Sequence, residues 1–294
     1  MMDGEDGPRS AEGALDAWLD AAWARGATEF RVDVDGAGIT CRGWNLGATH
    51  LPGIVFVHGF RAHARWWDHI APSFAQGHRV VALDLSGMGD SDRRQTYTRG
   101  QHGREALAVG PAAGIERPIL IAHSYGAVAT MIAARETPDA LSRLVIIDSA
   151  LPLNNEDDHQ IPVPPQRVYG SMDAAVERFR LIPPGRWPNP RVLDHVARHG
   201  LRRDGDGWTW KFDPQAAASL NRERYRDRLF GQTVPFDIVH GELTELMGAE
   251  RLALAREMAP HAGAPVSVPL AHHHIPIEQP VALVAALNGI LART

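Results

Sequence analysis

The chain has 294 residues, 44% of them hydrophobic and 22% charged, with a formal net charge of −5. That balance suits a globular protein with a sizeable core, and its mild acidity gives no reason to expect nucleic acid or an anionic membrane as partner. No apolar run reaches the about 18 residues of a spanning helix, residues 1–10 lack the features of a secretory signal, and the lone Cys41 excludes an internal disulfide. The cytoplasm is therefore the default compartment.

Apolar residues at helical spacing (Leu15, Trp18, Leu19, Ala22, Trp23) predict an amphipathic helix over residues 11–26, closed by Gly26. Alternation over 30–34 and 39–42, around the turn Asp35-Gly36-Ala37-Gly38, predicts a β-hairpin. Residues 53–57 and 79–84 read as buried strands, with a helix over 66–75 between them and a weaker helix around 104–109 after a glycine-rich loop. A strand ends at His123, a helix runs to Glu136, and residues 144–148 form the next strand. Strands rich in Val and Ile that alternate with helices predict an α/β fold, its mostly parallel sheet covered on both faces.

Residues 151–234 break the alternation with a dense set of prolines, the acidic run 154–158, short amphipathic pieces at 173–181 and 189–199, and a turn leading into Trp208-Thr209-Trp210. This stretch reads as an inserted helical lid. The core resumes with a strand at 235–241, a helix at 246–258, a strand at 265–268 and a final helix at 278–291, so that residues 1–150 and 235–294 form the core.

The chemistry centres on Ala122-His123-Ser124-Tyr125-Gly126, a serine between small residues at a strand-to-helix turn. Such a turn strains the serine backbone and lifts the hydroxyl to a helix N-terminus, where N–H groups can stabilise an oxyanion. A serine needs a base, and histidine has the right pKa; the chain offers His272-His273-His274 between the last strand and the last helix.

The succession His58-Gly59-Phe60, Asp84-Leu85-Ser86-Gly87-Met88-Gly89-Asp90-Ser91, Ala122-His123-Ser124-Tyr125-Gly126 and His273-His274-Ile275-Pro276-Ile277-Glu278-Gln279-Pro280 resembles the α/β-hydrolase superfamily over roughly residues 30–150 and 235–294. The resemblance implies an α/β-hydrolase fold with Ser124 as nucleophile, His273 as general base, and the backbone N–H groups of Phe60 and Tyr125 as oxyanion hole. Ala122 and His272 stand where the family usually has glycine. The family places its acid after either of two strands. Asp148 ends the first; at the second, Thr244 occupies the usual aspartate position and Glu245 is the nearest substitute, so Asp148 is favoured and Glu245 is the alternative.

The expected activity is hydrolysis of a carboxylic ester or lactone, without a cofactor, on an apolar small-molecule substrate. Relatives with the same triad also cleave carbon–carbon bonds of diketone-like substrates or carry out cofactor-free oxygen chemistry, and a non-hydrolytic ligand-binding module is the reading from another class. A serine nucleophile argues against the haloalkane dehalogenases and epoxide hydrolases of the superfamily. His58, Trp66, Trp67, His123 and Trp208 are candidate pocket residues, although Trp66 and Trp67 also fit as core on one helix face, and Trp208 with Trp210 as lid anchors. Consecutive loop histidines rarely aim at one ion, so no metal is expected. The acidic aspartates 84, 90 and 92 read as turn-closers around Gly87 and Gly89, and the 154–158 run as a solvated lid edge rather than a calcium loop.

Overall fold

The computed structural model describes residues 7–154, 163 and 165–293; positions 155–158 of the acidic run lie outside them. The strands are β1 (Thr28–Val34), β2 (Ala37–Trp44), β3 (Gly53–Val57), β4 (Arg79–Leu83), β5 (Ile119–His123), β6 (Arg143–Ile147), β7 (Leu201–Asp204), β8 (Gly207–Trp210), β9 (Phe236–Gly241) and β10 (Val266–Val268). Among the described residues, eight of them form one sheet in the order β1-β2-β4-β3-β5-β6-β9-β10, and β7 and β8 form a separate antiparallel hairpin. β1, β2 and β4 pair antiparallel, and from β4 to β10 every pairing is parallel. The alternation of strands and helices predicts this mostly parallel α/β sheet, and its arrangement is the α/β-hydrolase fold that the resemblance implies.

Every residue of β3, β4 and β5 is buried, because both faces of the sheet are covered. The period of two along β3 divides the core. Val55 and Val57 face α2 (Arg99–Ala112), α3 (Tyr125–Glu136) and α7 (Ala249–Met258) through Ala106, Val109, Met131, Ile132, Leu254 and Met258. Ile54 and Phe56 face Trp67, Ile70 and Phe74 and the C-terminal helix through Leu283, Leu287 and Ile290. At the exposed edge, β1 carries Glu29, Arg31 and Asp33, charges that discourage pairing with another strand.

The stretch 66–75 departs from expectation: it forms two 3-10 turns, Ala64–Trp67 and Ala71–Ser73, rather than one helix. Pro72 removes a donor and starts the second turn. The adjacent tryptophans thereby point to different clusters. Trp67 stacks on Phe56 at 4.8 Å inside the sheet core, which corrects its reading as a pocket residue. Trp66 packs with Leu19, Leu181, Val192, Val196 and Ile277 in a satellite cluster.

That cluster joins the N-terminal helix α1 (Gly7–Ala24) to the insertion rather than to the sheet. The insertion contains α4 (Met172–Val176), α5 (Pro190–His199) and α6 (Pro214–Leu220). Arg191 of α5 bonds Asp16 and Asp20 of α1, and His195 stacks on Trp23 at 4.9 Å. On the other side Lys211 pairs with Asp90 at 2.7 Å, and Tyr97 donates to Asp213 at 2.7 Å. Of the two amphipathic pieces read from sequence, 189–199 forms α5 with Asn189 as its N-cap, while 173–181 shortens to the single turn and a half of α4.

The helix expected only around 104–109 spans all of Arg99–Ala112, although it holds three glycines and Pro111. Thr98 caps it by accepting from Gln101 N at 3.1 Å. Packing overrides propensity here: a Cβ on Gly103 would run into the Ala129 carbonyl of α3, so the two helices meet backbone to backbone. Gly103→Ala would gain about 1 kcal/mol in helix propensity but lose about 1–3 kcal/mol or more to overpacking against a backbone that cannot move aside. Urea unfolding should therefore give a lower midpoint for Gly103→Ala; a raised midpoint would contradict this packing.

Candidate active site

The sheet order creates the site. β4 lies on one side of β3 and β5 on the other, so the chain reverses its lateral direction there and leaves a crevice beyond the strands' carboxyl ends. Val57 pairs with Ala122, which brings the turn after β3 and the turn after β5 side by side. Two glycines permit the contact. A Cβ on Gly126 would lie 2.5 Å from the His58 carbonyl oxygen, and one on Gly59 would lie 3.2 Å from Ser124 Cβ. The backbone of Phe60 and that of Tyr125, the first residue of α3, thus flank Ser124, with the Phe60 and Tyr125 rings edge to face at 5.5 Å.

Ser124 has φ 55° and ψ −120°. A non-glycine residue in such a conformation costs of the order of 1–3 kcal/mol and needs a scaffold that enforces it. The scaffold is present: Ser124 N donates to Ile147 O at 2.9 Å, and the Ser124 carbonyl accepts from Ala127 N and from the Ser149 hydroxyl, each at 3.0 Å. Ala122, in place of the family's glycine, is fully buried between β3 and β6 without disturbing either pairing.

Asp148 follows the same design one strand over. It leaves β6 with φ 38°, and its N–H continues the ladder to Val239 O at 2.9 Å. Its carboxylate is fully buried and accepts three hydrogen bonds: Gly241 N at 2.9 Å, the Thr244 hydroxyl at 2.8 Å and His273 Nδ1 at 2.9 Å. His273 Nε2 in turn accepts from Ser124 Oγ at 3.0 Å. Ser124 is partly exposed, so the row opens to solvent at the hydroxyl end. The structure brings Ser124, His273 and Asp148 together; Glu245 is exposed, and the carboxylate on His273 Nδ1 is that of Asp148.

Burial sets the charge of the row. Desolvation pushes His273 down to about 4 and Asp148 up to about 6, because each charged form loses hydration. The Gly241 N–H and the Thr244 hydroxyl oppose the rise at Asp148. At neutral pH the pair is a carboxylate beside a neutral imidazole, whose Nε2 can take a proton.

The surrounding histidines have separate tasks. His58 is buried, its Nδ1 donating to Gly59 O at 2.7 Å and its Nε2 accepting from Leu85 N at 3.1 Å, so it braces the turn before Phe60 rather than lining a pocket. His123 is buried and donates from Nε2 to the His273 carbonyl at 2.9 Å, which fixes the loop carrying His273. His272 points elsewhere: its N–H donates to Glu278 at 2.7 Å and its ring lies 5.7 Å from that of Trp187. The ring centroids of Trp66 and His274 are 5.9 Å apart, at the border between the site and the satellite cluster. Trp208 lies in the insertion hairpin under Arg203 at 4.6 Å, while Trp210 packs on Phe179 at 5.5 Å. Sequence reasoning missed Thr244, Ser149 and Glu278. Thr244 had a signal, since it occupies the position where an acid was sought. Among the described residues, one group could hold a metal ion: His123, His273 and His274, with one ring nitrogen from each within 4.8 Å of the others.

The chain belongs to the alpha/beta hydrolase family, whose model matches residues 54–287. It is similar to an sn-1-specific diacylglycerol lipase, ABHD11, of Mus musculus, with 30% identity over 104 residues, 35% of this chain and 34% of that protein. It is also similar to esterase PIR7B of Oryza sativa subsp. japonica, with 31% identity over 105 residues, 33% of this chain and 38% of that protein. The matched stretch thus spans little more than a third of these relatives' length. Among solved structures, an esterase from Mycobacterium tuberculosis superposes with a TM-score of 0.71 at 20% identity, covering 99% of this chain and 100% of that one. Among the described residues, no helix is long and apolar enough to cross a membrane.

A fluorophosphonate should label Ser124 only while His273 Nε2 is free to take the proton. The rate is expected to be full at neutral pH and to fall on acidification, with a midpoint between about 4 and about 6, as the buried pair takes up a proton. Labelling rates measured from pH 4 to 8 check this, and a midpoint at or above the ordinary histidine value of about 6.5 would contradict it.

Proposed function

We propose that this protein is a serine hydrolase acting on a carboxylic ester or lactone through an acyl-enzyme. One observation carries the reading: the unbroken row from Ser124 Oγ to His273 Nε2 at 3.0 Å and from His273 Nδ1 to Asp148 Oδ1 at 2.9 Å. Membership of the alpha/beta hydrolase family and the esterases among its relatives support it.

In this reading His273 Nε2 takes the hydroxyl proton as Ser124 Oγ attacks the substrate carbonyl. The oxyanion of the tetrahedral intermediate faces the backbone N–H groups of Tyr125 and Phe60, each such donor contributing about 10²–10³ in rate. His273 then returns the proton to the leaving alkoxide oxygen, and the acyl group stays on Ser124. Water enters, gives its proton to His273 and repeats the sequence, releasing the acid and restoring the hydroxyl. Asp148 holds the imidazole with Nε2 toward Ser124 and stabilises the transient imidazolium, which burial otherwise disfavours. No step calls for a cofactor.

Residues 151–234 act as the lid in this proposal and set the substrate. Leu181, Val192 and Val196 of the lid pack on Trp66 and Ile277 beside the histidine loop, which seats an apolar face of the lid next to the site and motivates the reading of an apolar acyl or alcohol group.

The test is turnover of aryl esters, lactones and diketones by wild type and three variants. Ser124→Ala and Asp148→Asn are each expected to lose about 10⁴-fold or more in kcat, while Glu245→Gln stays near wild type. Full activity in Ser124→Ala, collapse in Glu245→Gln alone, or turnover confined to the diketones would refute the assignment. Bulky esters should also outperform short-chain ones, and equal efficiency would remove the lid from the account of specificity.

A further inference from the structure

Three imidazoles meet beside Ser124 from two distant parts of the chain, His123 from the end of β5 and His273 and His274 from the loop before α8 (Ile275–Glu278). The tautomer of each is fixed by its partner. His123 Nε2 lies 2.9 Å from the His273 carbonyl oxygen, and His274 Nε2 lies 2.9 Å from that of Pro183. A carbonyl oxygen only accepts, so both Nε2 atoms carry the proton and both Nδ1 atoms present a lone pair. His273 donates Nδ1–H to Asp148, which leaves its lone pair on Nε2.

Each imidazole therefore has one nitrogen held by a carbonyl or carboxylate and a lone pair on the other, which at His273 accepts from Ser124 Oγ. Metal-binding histidines are arranged in this way, with the outer N–H bond fixing the tautomer and orientation of the ring. A second observation points the same way: His274 Nδ1 is buried and has no hydrogen-bond partner. A buried acceptor without a partner is costly unless something occupies it.

We propose that His123, His273 and His274 form a site for a divalent transition cation such as Zn²⁺ or Cu²⁺, and that its occupation switches hydrolysis off. Nitrogen ligands suit these ions and not Mg²⁺ or Ca²⁺. Metal–nitrogen bonds of about 2.0–2.1 Å at tetrahedral angles place ligand nitrogens ~3.3 Å apart. One ring nitrogen of each histidine lies within 4.8 Å of the others, so rotation of the rings toward the ion is needed to reach that spacing. The fourth position is left to water or to Ser124 Oγ. The ion takes the Nε2 lone pair that otherwise accepts the Ser124 proton; no bond in the protein breaks except that hydrogen bond. Inhibition rests on the reading of His273 as the base, whereas binding does not.

Titration calorimetry with Zn²⁺ at neutral pH on wild type, Ser124→Ala and His274→Phe separates the two. Wild type and Ser124→Ala are each expected to bind one ion at this site. His274→Phe should bind it at least about tenfold more weakly, since loss of even an outer partner of a ligand costs ~10–100-fold. Co²⁺ bound to Ser124→Ala should show the visible ligand-field bands of a low-coordinate nitrogen-ligated ion, and these should vanish in His274→Phe. Zn²⁺, but not Mg²⁺, should slow fluorophosphonate labelling of wild-type Ser124, and a chelator should restore it. Equal Zn²⁺ affinity in wild type and in a His274→Phe protein with an unchanged melting curve would put the ion elsewhere among the chain's 15 histidines and overturn the proposal. If His274→Phe does not fold, His274→Gln, which can still donate to Pro183 O, is judged by the same criterion. Binding at the site without any effect on labelling would overturn the inhibitory half. Binding in a protein whose Ser124 never labels would leave the site standing and reject the hydrolase reading instead.

Discussion

The site depends on how closely two backbone turns approach one another. The exit of β3 and the exit of β5 touch at Gly59 and Gly126, where a methyl group on the latter would press on the His58 carbonyl. Because the two strands are parallel neighbours, both turns leave the sheet in the same direction and lie side by side at Ser124. The positive φ of Ser124 then follows from the need to leave β5, lift the hydroxyl and start α3 within a single residue. That strain is held by bonds from the neighbouring strand and its exit, Ile147 O and the Ser149 hydroxyl, so the sheet and Ser124 are one mechanical unit.

The electrostatics follow from burial in the same way. Carboxylate and imidazole share a nearly dry environment that penalises any charge. Asp148 keeps its charge near neutrality through two donors besides His273, one backbone and one hydroxyl, both from β9 and the turn after it. His273, which donates from Nδ1 to Asp148 and accepts at Nε2 from the Ser124 hydroxyl, stays neutral until a proton is transferred to Nε2. A buried acid–base pair of this kind is inert at rest and becomes an ion pair only during a reaction, which is the property general-base catalysis needs.

Much of this was legible in the sequence because it is local. The strand–Ser–helix turn, the buried strands and the hairpin are patterns of adjacent residues, and they fall within a residue or two of where they were read. What was not legible is set by distant packing. The helix Arg99–Ala112 looked weak because glycine and proline lower propensity, yet those glycines are what let α3 approach. The choice between Asp148 and Glu245 as partner of His273 turned on which side chain faces into the crevice, and the answer lay in Thr244, a hydroxyl on β9's exit turn that reaches the carboxylate of the neighbouring strand. Consecutive loop histidines gave no reason to expect a cluster; the fold turns His272 toward Glu278 and brings in His123 across 150 residues of chain.

Glu278 shows how the insertion and the chemistry are joined. Its carboxylate accepts from His272 N at 2.7 Å and from Arg186 N of the insertion at 3.1 Å, and is itself buried. The Pro183 carbonyl, three residues before Arg186, accepts a hydrogen bond from His274 Nε2. The loop that presents His273 is therefore gripped on one side by β5, through His123, and on the other by the insertion, through Glu278 and Pro183. A displacement of the insertion cannot leave that loop untouched, because each of these bonds would have to break in a buried setting where an unpaired group is expensive. The insertion and the geometry at Ser124 are coupled through one carboxylate and one carbonyl.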